Sequence, residues 1–427
     1  MKFDVVIVGA GPSGCISAIN IAKKGYKVAI LDKDEEKSIG YRTGGGVIKV
    51  DTFSSVGLPR SQGKELIAFL DTFNIYSPTA RTKKTVNHTA IIVDRLLMNQ
   101  RLLQYAKEAG SQLFSETQVE DLLIDNDFVK GVTTKDDKVF HSKILIDASG
   151  FSGIVRKKLP HSFNIENEID NKYIAKAYVE LLKNPNTSEN YLNSYLAVDN
   201  GYIWQTPTEI GYGSLDHSID LKKRLHSFID EHKLNVETDS NYTSYGAIAV
   251  RQNIPNMVGN GVVIVGDAAC MISPIEGAGI TTSIRGAKLA SDIILECLEK
   301  NDFSQSALWA FNVKYNRTIG ANLAYMDMLR RGLIGLKPDD IDFAFEKEVI
   351  TAKDVLDSIT GDIANVSVLD KAQRAIRGIR RPHILLRMEN CMNKSKELKH
   401  HYSNFPDNPE NLLKWIEKKD KINNSFY

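Results

Sequence analysis

The segment that most constrains the fold of this chain is a glycine-rich turn near its N-terminus. The run FDVVIV at 3–8 suits a strand buried on both faces of a parallel sheet, and GAGPSG follows it at 9–14. Small and apolar residues typical of a helix come next, and a second apolar strand at 27–31 ends in Asp32. This order of elements predicts a Rossmann-type βαβ unit that binds a dinucleotide.

Each residue of this motif has a physical role. Gly9 permits the tight turn, Gly11 lets the backbone approach a pyrophosphate, and Gly14 allows the helix to pack closely on the strand. The N–H groups at the helix N-terminus, around Ser13, bind phosphate oxygens. Asp32 lies at the spacing at which this motif places an acid on the ribose hydroxyls. We therefore expect all five residues to contact the cofactor.

Composition excludes several other classes of protein. The 427 residues include 54 Lys and Arg against 53 Asp and Glu, and a net charge of +1 argues against nucleic acid as a partner. The four cysteines are scattered without metal-ligand spacing, so we expect no metal site and a reducing, cytoplasmic environment. The first strand follows Met1 and Lys2 without a signal-peptide pattern, and no apolar run is long enough to span a bilayer. We therefore expect a soluble protein or one bound at a membrane surface.

A second signature lies in the middle of the chain. The apolar run GVVIV at 261–265 has the composition of a buried strand and leads into GDAA at 266–269, with GAG at 277–279 before a small-residue helix. Two shorter segments accompany it, DASG at 147–150 after another apolar strand and VDRL at 93–96 at a helix start. No second GxGxxG follows, so a separate nicotinamide-binding domain is not expected.

These segments resemble FAD enzymes of the group that contains aromatic hydroxylases, flavin halogenases and geranylgeranyl reductases. The resemblance implies that Asp267 binds sugar-derived hydroxyls of FAD and that Arg95 contacts FAD. It also implies that Gly279 and Ile280, at a helix N-terminus, lie against the flavin ring. Such a terminus stabilises the negative charge of a reduced flavin. We expect FAD, rather than NAD, as the cofactor.

Two further segments resemble one branch of this group. The sequence GYIWQTP at 201–207 is similar to the YxWxFP signature of geranylgeranyl reductases, and IGYRTGGG at 39–46 is similar to their flavin-side loop. The resemblance extends to about residue 405 and is best to the archaeal members. Those flavoproteins saturate isoprenoid double bonds of membrane lipids or of their precursors. It implies further cofactor contacts and substrate contacts by residues of these segments.

The implied cofactor contacts are Thr43, Gly44, Gly46 and Val119, and the implied substrate contacts are Tyr202, Trp204 and Pro207. Alternate residues of a strand face the same way, so Tyr202 and Trp204 are expected to project into one cavity. Thr43 occupies the position at which the family usually has a catalytic Cys.

The proton donor for such a reduction is not identified by the sequence. A Thr43 hydroxyl is far less acidic than a thiol, and Tyr202 is a weak acid at neutral pH. Cys270 lies three positions after Asp267 and is a candidate for a nearby thiol, although a packing role is the commoner one for such a residue.

The expected fold class is α/β, with a Rossmann-type FAD-binding domain, an inserted antiparallel β-sheet substrate domain and a C-terminal helical region. The FAD-binding domain is expected at 1–158 and 245–325, the substrate domain at 159–244 and the helical region at 326–427. Within the last, the stretch 371–399 has nine Lys and Arg against two Glu, a local net charge of +7. It is either a solvated helix face or a surface attracted to anionic lipid or a diphosphate group.

The leading hypothesis is an FAD-dependent reductase of geranylgeranyl chains in archaeal membrane lipids or their diphosphate precursors. A monooxygenase or halogenase on the same scaffold, or a flavin- or lipid-binding paralogue without catalysis, remains an alternative. Expected partners are the isoprenoid substrate and an external electron donor, which is a ferredoxin, a deazaflavin or NAD(P)H. Contact with a membrane surface is a further possibility.

Overall fold

A computed structural model describes residues 1–361 and 367–425. In these ranges the strands are β1 Val5–Val8, β2 Val28–Leu31, β3 Val47–Lys49, β4 Leu66–Tyr76, β5 Lys83–Val93, β6 Gln112–Phe114, β7 Val119–Asp125, β8 Phe128–Thr134, β9 Val139–His141, β10 Ile144–Asp147, β11 Ile174–Leu182, β12 Tyr191–Val198, β13 Gly201–Gln205, β14 Glu209–Ser214, β15 Thr238–Ala249, β16 Val258–Gly259 and β17 Val262–Ile264. The α-helices are α1 Pro12–Ala22, α2 Arg95–Glu108, α3 Leu221–Glu231, α4 Ile280–Lys300, α5 Gln305–Tyr315, α6 Ala321–Ile334, α7 Pro338–Glu346, α8 Ala352–Thr360, α9 Val368–Arg377, α10 Pro382–Ser403 and α11 Leu412–Asn424.

The glycine-rich turn belongs to a six-stranded sheet of order β16-β17-β10-β1-β2-β6. Neighbouring strands are parallel, except for the antiparallel pair of β16 and β17. All residues of β1, β2 and β10 are buried, as their uninterrupted apolar sequences predict for a covered parallel sheet. Helix α1 contacts β1 and β2, and β8 of a small three-stranded sheet contacts β10. The prediction of a Rossmann-type α/β fold is confirmed.

A second sheet has eight strands in the order β15-β11-β14-β13-β12-β4-β5-β3. Strands β12 and β4 are parallel, and the other neighbouring pairs are antiparallel. The antiparallel sheet was predicted to lie within 159–244. In the structure it also includes β3, β4 and β5 from 47–93, and β15 continues to Ala249. The N-terminal segment therefore contributes to both sheets, and the domain boundaries stay a prediction.

The C-terminal helices pack against the second sheet. A hydrophobic cluster joins Phe73 and Ile75 of β4 to Phe345 of α7 and Ile359 of α8. Helix α5, a π-helical turn and α6 follow one another directly, so the boundary expected at 325 falls inside α6. Within the described ranges, no helix combines the length and apolarity needed to cross a membrane.

Helix α6 is tied to the rest of the molecule by Asp327, a carboxylate with no exposed surface. It pairs with Arg330 at 2.9 Å and with Arg331 at 2.7 Å, and it accepts a hydrogen bond of 3.1 Å from the Gln252 amide. Burial alone raises the pKa of Asp327, but the charges of Arg331 and Arg330 and the hydrogen bonds from both side chains together outweigh burial and hold this pKa below its usual range. The ionised carboxylate is thus the stable form in the folded protein.

Replacement of Asp327 by Asn is expected to lower the free energy of unfolding by about 3–5 kcal/mol at neutral pH, because two buried guanidinium groups lose this carboxylate. A carboxylate with a lowered folded-state pKa stabilises the protein above its unfolded-state pKa of about 3.9, and that stability is lost as the pH falls through the folded-state pKa. Denaturant unfolding at several pH values measures the difference between wild type and variant.

The matched control is Asp292→Asn, which removes an exposed carboxylate paired with Lys288 and is expected to change stability by less than about 1 kcal/mol. A wild-type advantage over Asp327→Asn that persists unchanged at low pH contradicts this account of Asp327.

Candidate functional site

A cavity of about 1500 Å³ is lined by residues of both large sheets and of the C-terminal helices. One end lies at the carboxyl ends of β1 and β2, beside the first turn of α1. The middle is walled by strands of the eight-stranded sheet, and the far end by α6, α8 and α10. A ligand-binding crevice at the carboxyl ends of parallel strands is the arrangement expected of a doubly wound sheet.

The first end of the cavity is shaped by the glycines of the βαβ turn. Gly9 has a φ of +103°, and a Cβ at this position would lie 2.3 Å from the carbonyl oxygen of Ala148. A Cβ at Gly14 would lie 1.9 Å from the carbonyl oxygen of Gly9, so only glycine permits this helix–strand contact. At Gly11, by contrast, a Cβ would meet nothing within 4 Å. The turn thus leaves open space in front of α1, and Ser13 lines it.

The N-terminus of α1 is suited to bind an anion. Gly11 is its N-cap residue, and among the described residues no side chain caps this first turn. The first N–H groups of a helix have no partner within the helix, and the helix dipole attracts negative charge to this point. The open space at Gly11 is therefore a fitting cradle for the pyrophosphate of FAD.

Asp32 follows β2 at the edge of the same space. Its Oδ2 accepts a hydrogen bond of 2.7 Å from the N–H of Ala10, and its Oδ1 accepts one of 2.9 Å from the N–H of Asp34. Since a carboxylate offers about four lone-pair sites, Asp32 still has sites to accept hydrogen bonds from ribose hydroxyls. Val119, at the start of β7, also lines this end of the cavity.

Arg95 and Asp267 both line the cavity and interact by charge. Asp94 caps α2 and thereby fixes Arg95 at its first position, where the guanidinium donates a 3.1 Å hydrogen bond to the carbonyl of Gly45. Burial lowers the pKa of Arg95, and the charge of Asp267 opposes that effect. Burial likewise raises the pKa of Asp267, opposed by the charges of Arg95 and Arg42.

One atom of Arg95 is suited to bind a ligand. Its Nε is buried and has no hydrogen-bond acceptor among the described residues. Buried guanidinium N–H groups normally have acceptors, so this orphaned donor fits a site that binds oxygen atoms of a cofactor.

A second helix N-terminus faces the cavity beside Asp267. Gly279 is the N-cap residue of α4, and no described side chain caps that turn. A Cβ at Gly279 would lie 3.1 Å from Oδ1 of Asp267, and Ile280 is in the cavity wall next to it. Thr43 and Gly44 also line the cavity, and they belong to the loop at 39–46, which we name the Gly44 loop. The structure therefore brings the two signatures of the sequence together at one end of a single cavity.

Tyr202 and Trp204 project from β13 into the cavity together, as their alternation predicts. Their ring centroids are 5.6 Å apart. The Tyr202 hydroxyl donates a 2.9 Å hydrogen bond to the carbonyl of Glu276, and burial raises the pKa of Tyr202 above its usual range. Tyr202 is therefore an even weaker proton donor than a free tyrosine.

Three predicted site residues do not line the cavity. Gly14 packs against Gly9, and Gly46 packs against β5, where a Cβ would lie 2.2 Å from the carbonyl oxygen of Val93. Pro207 is buried beyond the end of β13, outside the cavity wall, because the chain turns there to begin β14. The expectation that Pro207 contacts substrate from this wall is therefore not supported by its position.

Cys270 is also outside the cavity wall. Its side chain is buried, and burial raises the pKa of its thiol to about 11. A thiol in this environment is protonated and inert at neutral pH, so Cys270 is a packing residue rather than a substitute for the family's loop cysteine.

Glu209, at the start of β14, is a site residue that the sequence analysis missed. The residue as a whole is 3% exposed. Oε1 accepts a hydrogen bond of 2.8 Å from the indole N–H of Trp204, and both oxygens lie within 3.1 Å of the N–H of Gly45. A Cβ on Gly44 would lie 2.7 Å from Oε2, so the carboxylate lies directly against this loop.

The protonation of Glu209 is set by opposing effects. Burial raises the pKa of this carboxyl, while the hydrogen bonds from Trp204 and Gly45 and the charge of Arg95 act in the opposite direction. No motif marks Glu209, since its partner Gly45 lies 164 positions earlier. The available signal in the sequence was an acidic residue a few positions after Tyr202 and Trp204, which were already expected to line the cavity.

The remainder of the cavity is mainly apolar. It is walled by these side chains of β4, β12 and the C-terminal helices: Phe73, Ile75, Leu192, Leu196, Leu329, Leu333, Leu336, Phe345, Val355, Ile359, Leu385 and Met388. Charged groups of α8, α9 and α10 lie at its far end: Asp354, Lys371, Arg374 and Lys396. The cavity thus joins a polar end with two helix N-termini to a long apolar channel.

The profile of the FAD binding domain family matches residues 2–302. The digeranylgeranylglycerophospholipid reductase of Sulfolobus acidocaldarius is 28% identical over 445 aligned positions, which cover 100% of this chain and 98% of that protein. The digeranylgeranylglycerophospholipid reductase of Methanocella arvoryzae is 28% identical over 346 positions, which cover 75% of this chain and 85% of that protein.

Solved structures share the fold. A geranylgeranyl bacteriochlorophyll reductase-like protein of Thermoplasma acidophilum has a TM-score of 0.76 at 20% identity, and the match covers 91% of this chain and 99% of that one. The flavin-dependent brominase Bmp2 has a TM-score of 0.66 at 18% identity, covering 90% of this chain and 99% of that one. The prediction of FAD as the cofactor is confirmed by the family match.

Substitution of Gly11 by Ala is expected to weaken FAD binding without weakening the fold. The φ of Gly11 is −68° and a Cβ there meets no atom within 4 Å, so the apoprotein accommodates a methyl group. That methyl group fills the space in front of α1, and we expect the affinity for FAD to fall about tenfold or more, which corresponds to roughly 1.4 kcal/mol. FAD titration and thermal unfolding of the apoprotein measure the two effects separately.

Gly14→Ala serves as the contrasting variant, because its Cβ would lie 1.9 Å from the Gly9 carbonyl oxygen and must destabilise the apoprotein itself. If Gly11→Ala binds FAD as tightly as wild type, the space in front of α1 is not the pyrophosphate site.

Proposed function

The chain belongs to the FAD binding domain family, and from this premise we propose that it is an FAD-dependent reductase of prenyl lipids. The proposed reaction saturates carbon–carbon double bonds of geranylgeranyl chains in an archaeal glycerophospholipid or its diphosphate precursor. Full-length similarity to a digeranylgeranylglycerophospholipid reductase supports this substrate class.

The observation that carries the proposal is the continuity of the cavity. Its polar end has the helix N-termini and acids suited to FAD, and the same cavity continues as an apolar channel into the C-terminal helices. A long isoprenoid chain needs such a channel, since transfer of its apolar surface out of water contributes about 25 cal/mol per Å². A site for small aromatic substrates has no use for this length of apolar wall.

We assign the polar end of the cavity to the cofactor. The N-terminus of α1 with Gly9, Gly11 and Ser13 binds the pyrophosphate, and Asp32 binds the ribose. The remaining contacts, assigned by position in the wall, are these: Thr43, Gly44, Arg95, Val119, Asp267, Gly279 and Ile280. Bound FAD in its reduced form supplies a hydride equivalent for the alkene.

The protein's own contribution is to position the alkene and exclude water from it. Tyr202 and Trp204 form one wall beside the Gly44 loop, so a prenyl chain threaded past them is confined next to the cofactor end. Orientation of this kind is the largest source of rate enhancement available to a reaction that needs little covalent help from the protein.

We propose Glu209 as the acid of this reaction. Reduction breaks the π bond of the alkene, and one carbon receives the hydride while the other receives a proton. Glu209 lies against the Gly44 loop, and burial favours its neutral form, so its carboxyl delivers the proton and regains one from water. The charge of Arg95 and the hydrogen bonds donated by the neutral N–H groups of Trp204 and Gly45 act against this effect of burial on Glu209.

The Glu209→Gln variant is expected to retain FAD, because the amide oxygen still accepts the Trp204 hydrogen bond. Its rate of anaerobic flavin reoxidation by substrate is expected to fall about 100- to 10,000-fold, the usual contribution of a positioned acid. Since the acid must be protonated, the wild-type rate falls as the pH rises through the raised pKa, and the variant loses that dependence. Single-turnover absorbance at a series of pH values measures both.

Glu168→Ala, at an exposed carboxylate, is the control and is expected to behave like wild type. A Glu209→Gln variant with the wild-type rate and pH profile contradicts the assignment of the acid without touching the proposed reductase activity.

The proposal also includes partners. Electrons come from an external donor, which is a ferredoxin, a deazaflavin or NAD(P)H, because the sequence has one dinucleotide motif and that motif is assigned to FAD. Substrate chains of this length reside in membranes, so we propose a cytoplasmic protein that meets its substrate at the membrane surface.

The direct test is anaerobic reduction of the bound flavin followed by addition of digeranylgeranylglycerophospholipid. We expect the flavin absorbance to return and the lipid mass to increase in steps of two hydrogens. Reoxidation that requires oxygen, or a lipid of unchanged mass, contradicts the proposed function and favours a monooxygenase or halogenase.

A further inference from the structure

The turn between α9 and α10 forms an unusual surface, which we name the basic corner and define as residues 371–388. This segment contains six Lys and Arg residues and no Asp or Glu. It comprises most of α9, the connecting turn and the first residues of α10. The concentration of positive charge stands out in a chain whose net charge is +1.

The basic corner also exposes apolar side chains. Ile379 is 74% exposed, Ile376 is 72% exposed and Leu386 is 69% exposed, and these are the three most exposed large apolar side chains among the described residues. Single exposed apolar residues are ordinary, but three within eleven positions of one corner mark an interaction surface.

Four of the six cations of the basic corner form two contrasting pairs. Arg374 pairs with Asp354 and Arg381 with Asp340, so these two help to hold the corner on α7 and α8. Arg377 and Arg380, in contrast, are exposed beside Ile376 and Ile379. Exposed cations alternate here with exposed apolar side chains along the chain.

The basic corner adjoins the cavity. Lys371, Arg374, Leu385 and Met388 belong to both the corner and the cavity wall. Lys371 is itself exposed, so a positive charge lies where the cavity wall meets solvent. A molecule held at the corner is therefore next to the apolar channel.

We propose that the basic corner docks the protein on an anionic lipid bilayer, with Ile376, Ile379 and Leu386 in the interfacial region and the exposed arginines on lipid phosphates. Amphipathic segments bind anionic membranes through this combination of buried apolar area and cationic attraction. The acidic groups of a protein partner would pair with the arginines but would not account for the exposed isoleucines. The docked orientation places the far end of the cavity at the membrane, and only this last consequence rests on the proposed function.

Vesicle co-sedimentation of the full-length, FAD-loaded protein tests the proposal. The vesicles are phosphatidylcholine alone and an equal mixture of phosphatidylcholine and phosphatidylglycerol. We expect the wild type to bind the anionic vesicles and to be released by salt, with little binding to the neutral ones. An R377E/R380E variant is expected to bind the anionic vesicles at least about tenfold more weakly than wild type. An I376S/I379S/L386S variant is also expected to bind them more weakly, and at low salt too, where cationic attraction is strongest.

The matched control is L413S/K414E on α11, which also changes an exposed apolar residue and an exposed cation and is expected to bind like wild type. The proposal is overturned if the wild type does not bind anionic vesicles, or if the corner variants bind them as tightly as the wild type does. Binding that survives the isoleucine and leucine changes but not the arginine changes overturns it in favour of a purely electrostatic site, such as one for an acidic protein.

The same variants separate this proposal from the proposed function. With detergent-dispersed prenyl lipid, both corner variants are expected to reoxidise reduced flavin at the wild-type rate, because none of their changed residues lines the cavity. With lipid presented in vesicles, their rates are expected to fall about as far as their binding does. Vesicle binding without any reductase activity leaves the docking surface standing and refutes the proposed function alone.

Discussion

The hydrogen bonds from Gly45 and Trp204 to the Glu209 carboxylate are the interaction on which the site depends. Glu209 belongs to the eight-stranded sheet, and Gly45 belongs to the loop that follows the βαβ unit. Arg95 is the first residue of α2, and its guanidinium donates a hydrogen bond to the Gly45 carbonyl of the same loop. A buried carboxyl group is tolerated where hydrogen-bond donors surround its oxygens, so these groups fix one another. These contacts hold the polar end of the cavity next to the wall formed by Tyr202 and Trp204.

The cavity that results has two chemically different ends. Its polar end has the N-termini of α1 and α4, Asp32 and the orphaned Nε of Arg95, all of which suit an anionic, hydroxylated cofactor. Its apolar channel is made mostly by the second sheet and by helices that pack on that sheet. The C-terminal helices thus do more than cover the sheet, because their side chains also line the cavity.

The sequence was sufficient wherever the relevant residues are contiguous. The turn at 9–14 and the strands beside it follow from local rules about glycine, buried strands and helix termini, and the structure places them as expected. Alternation along β13 likewise placed Tyr202 and Trp204 in one wall. Long-range pairing was beyond such rules: strands β4 and β5 join a sheet formed mainly by residues a hundred positions later, and Glu209 reaches Gly45 across 164 positions. Pro207 follows the end of β13 and is not part of the cavity wall, so its contact with substrate stays a prediction.

The central claim is that one cavity holds the flavin and a prenyl chain side by side. The most direct measurement is an experimental structure of the protein with FAD and a saturated digeranylgeranyl lipid bound. The account predicts a flavin ring between the Gly44 loop and Gly279, with the lipid chain passing Trp204 and continuing between α6 and α8. A lipid bound elsewhere, or a flavin separated from the chain by protein side chains, contradicts it.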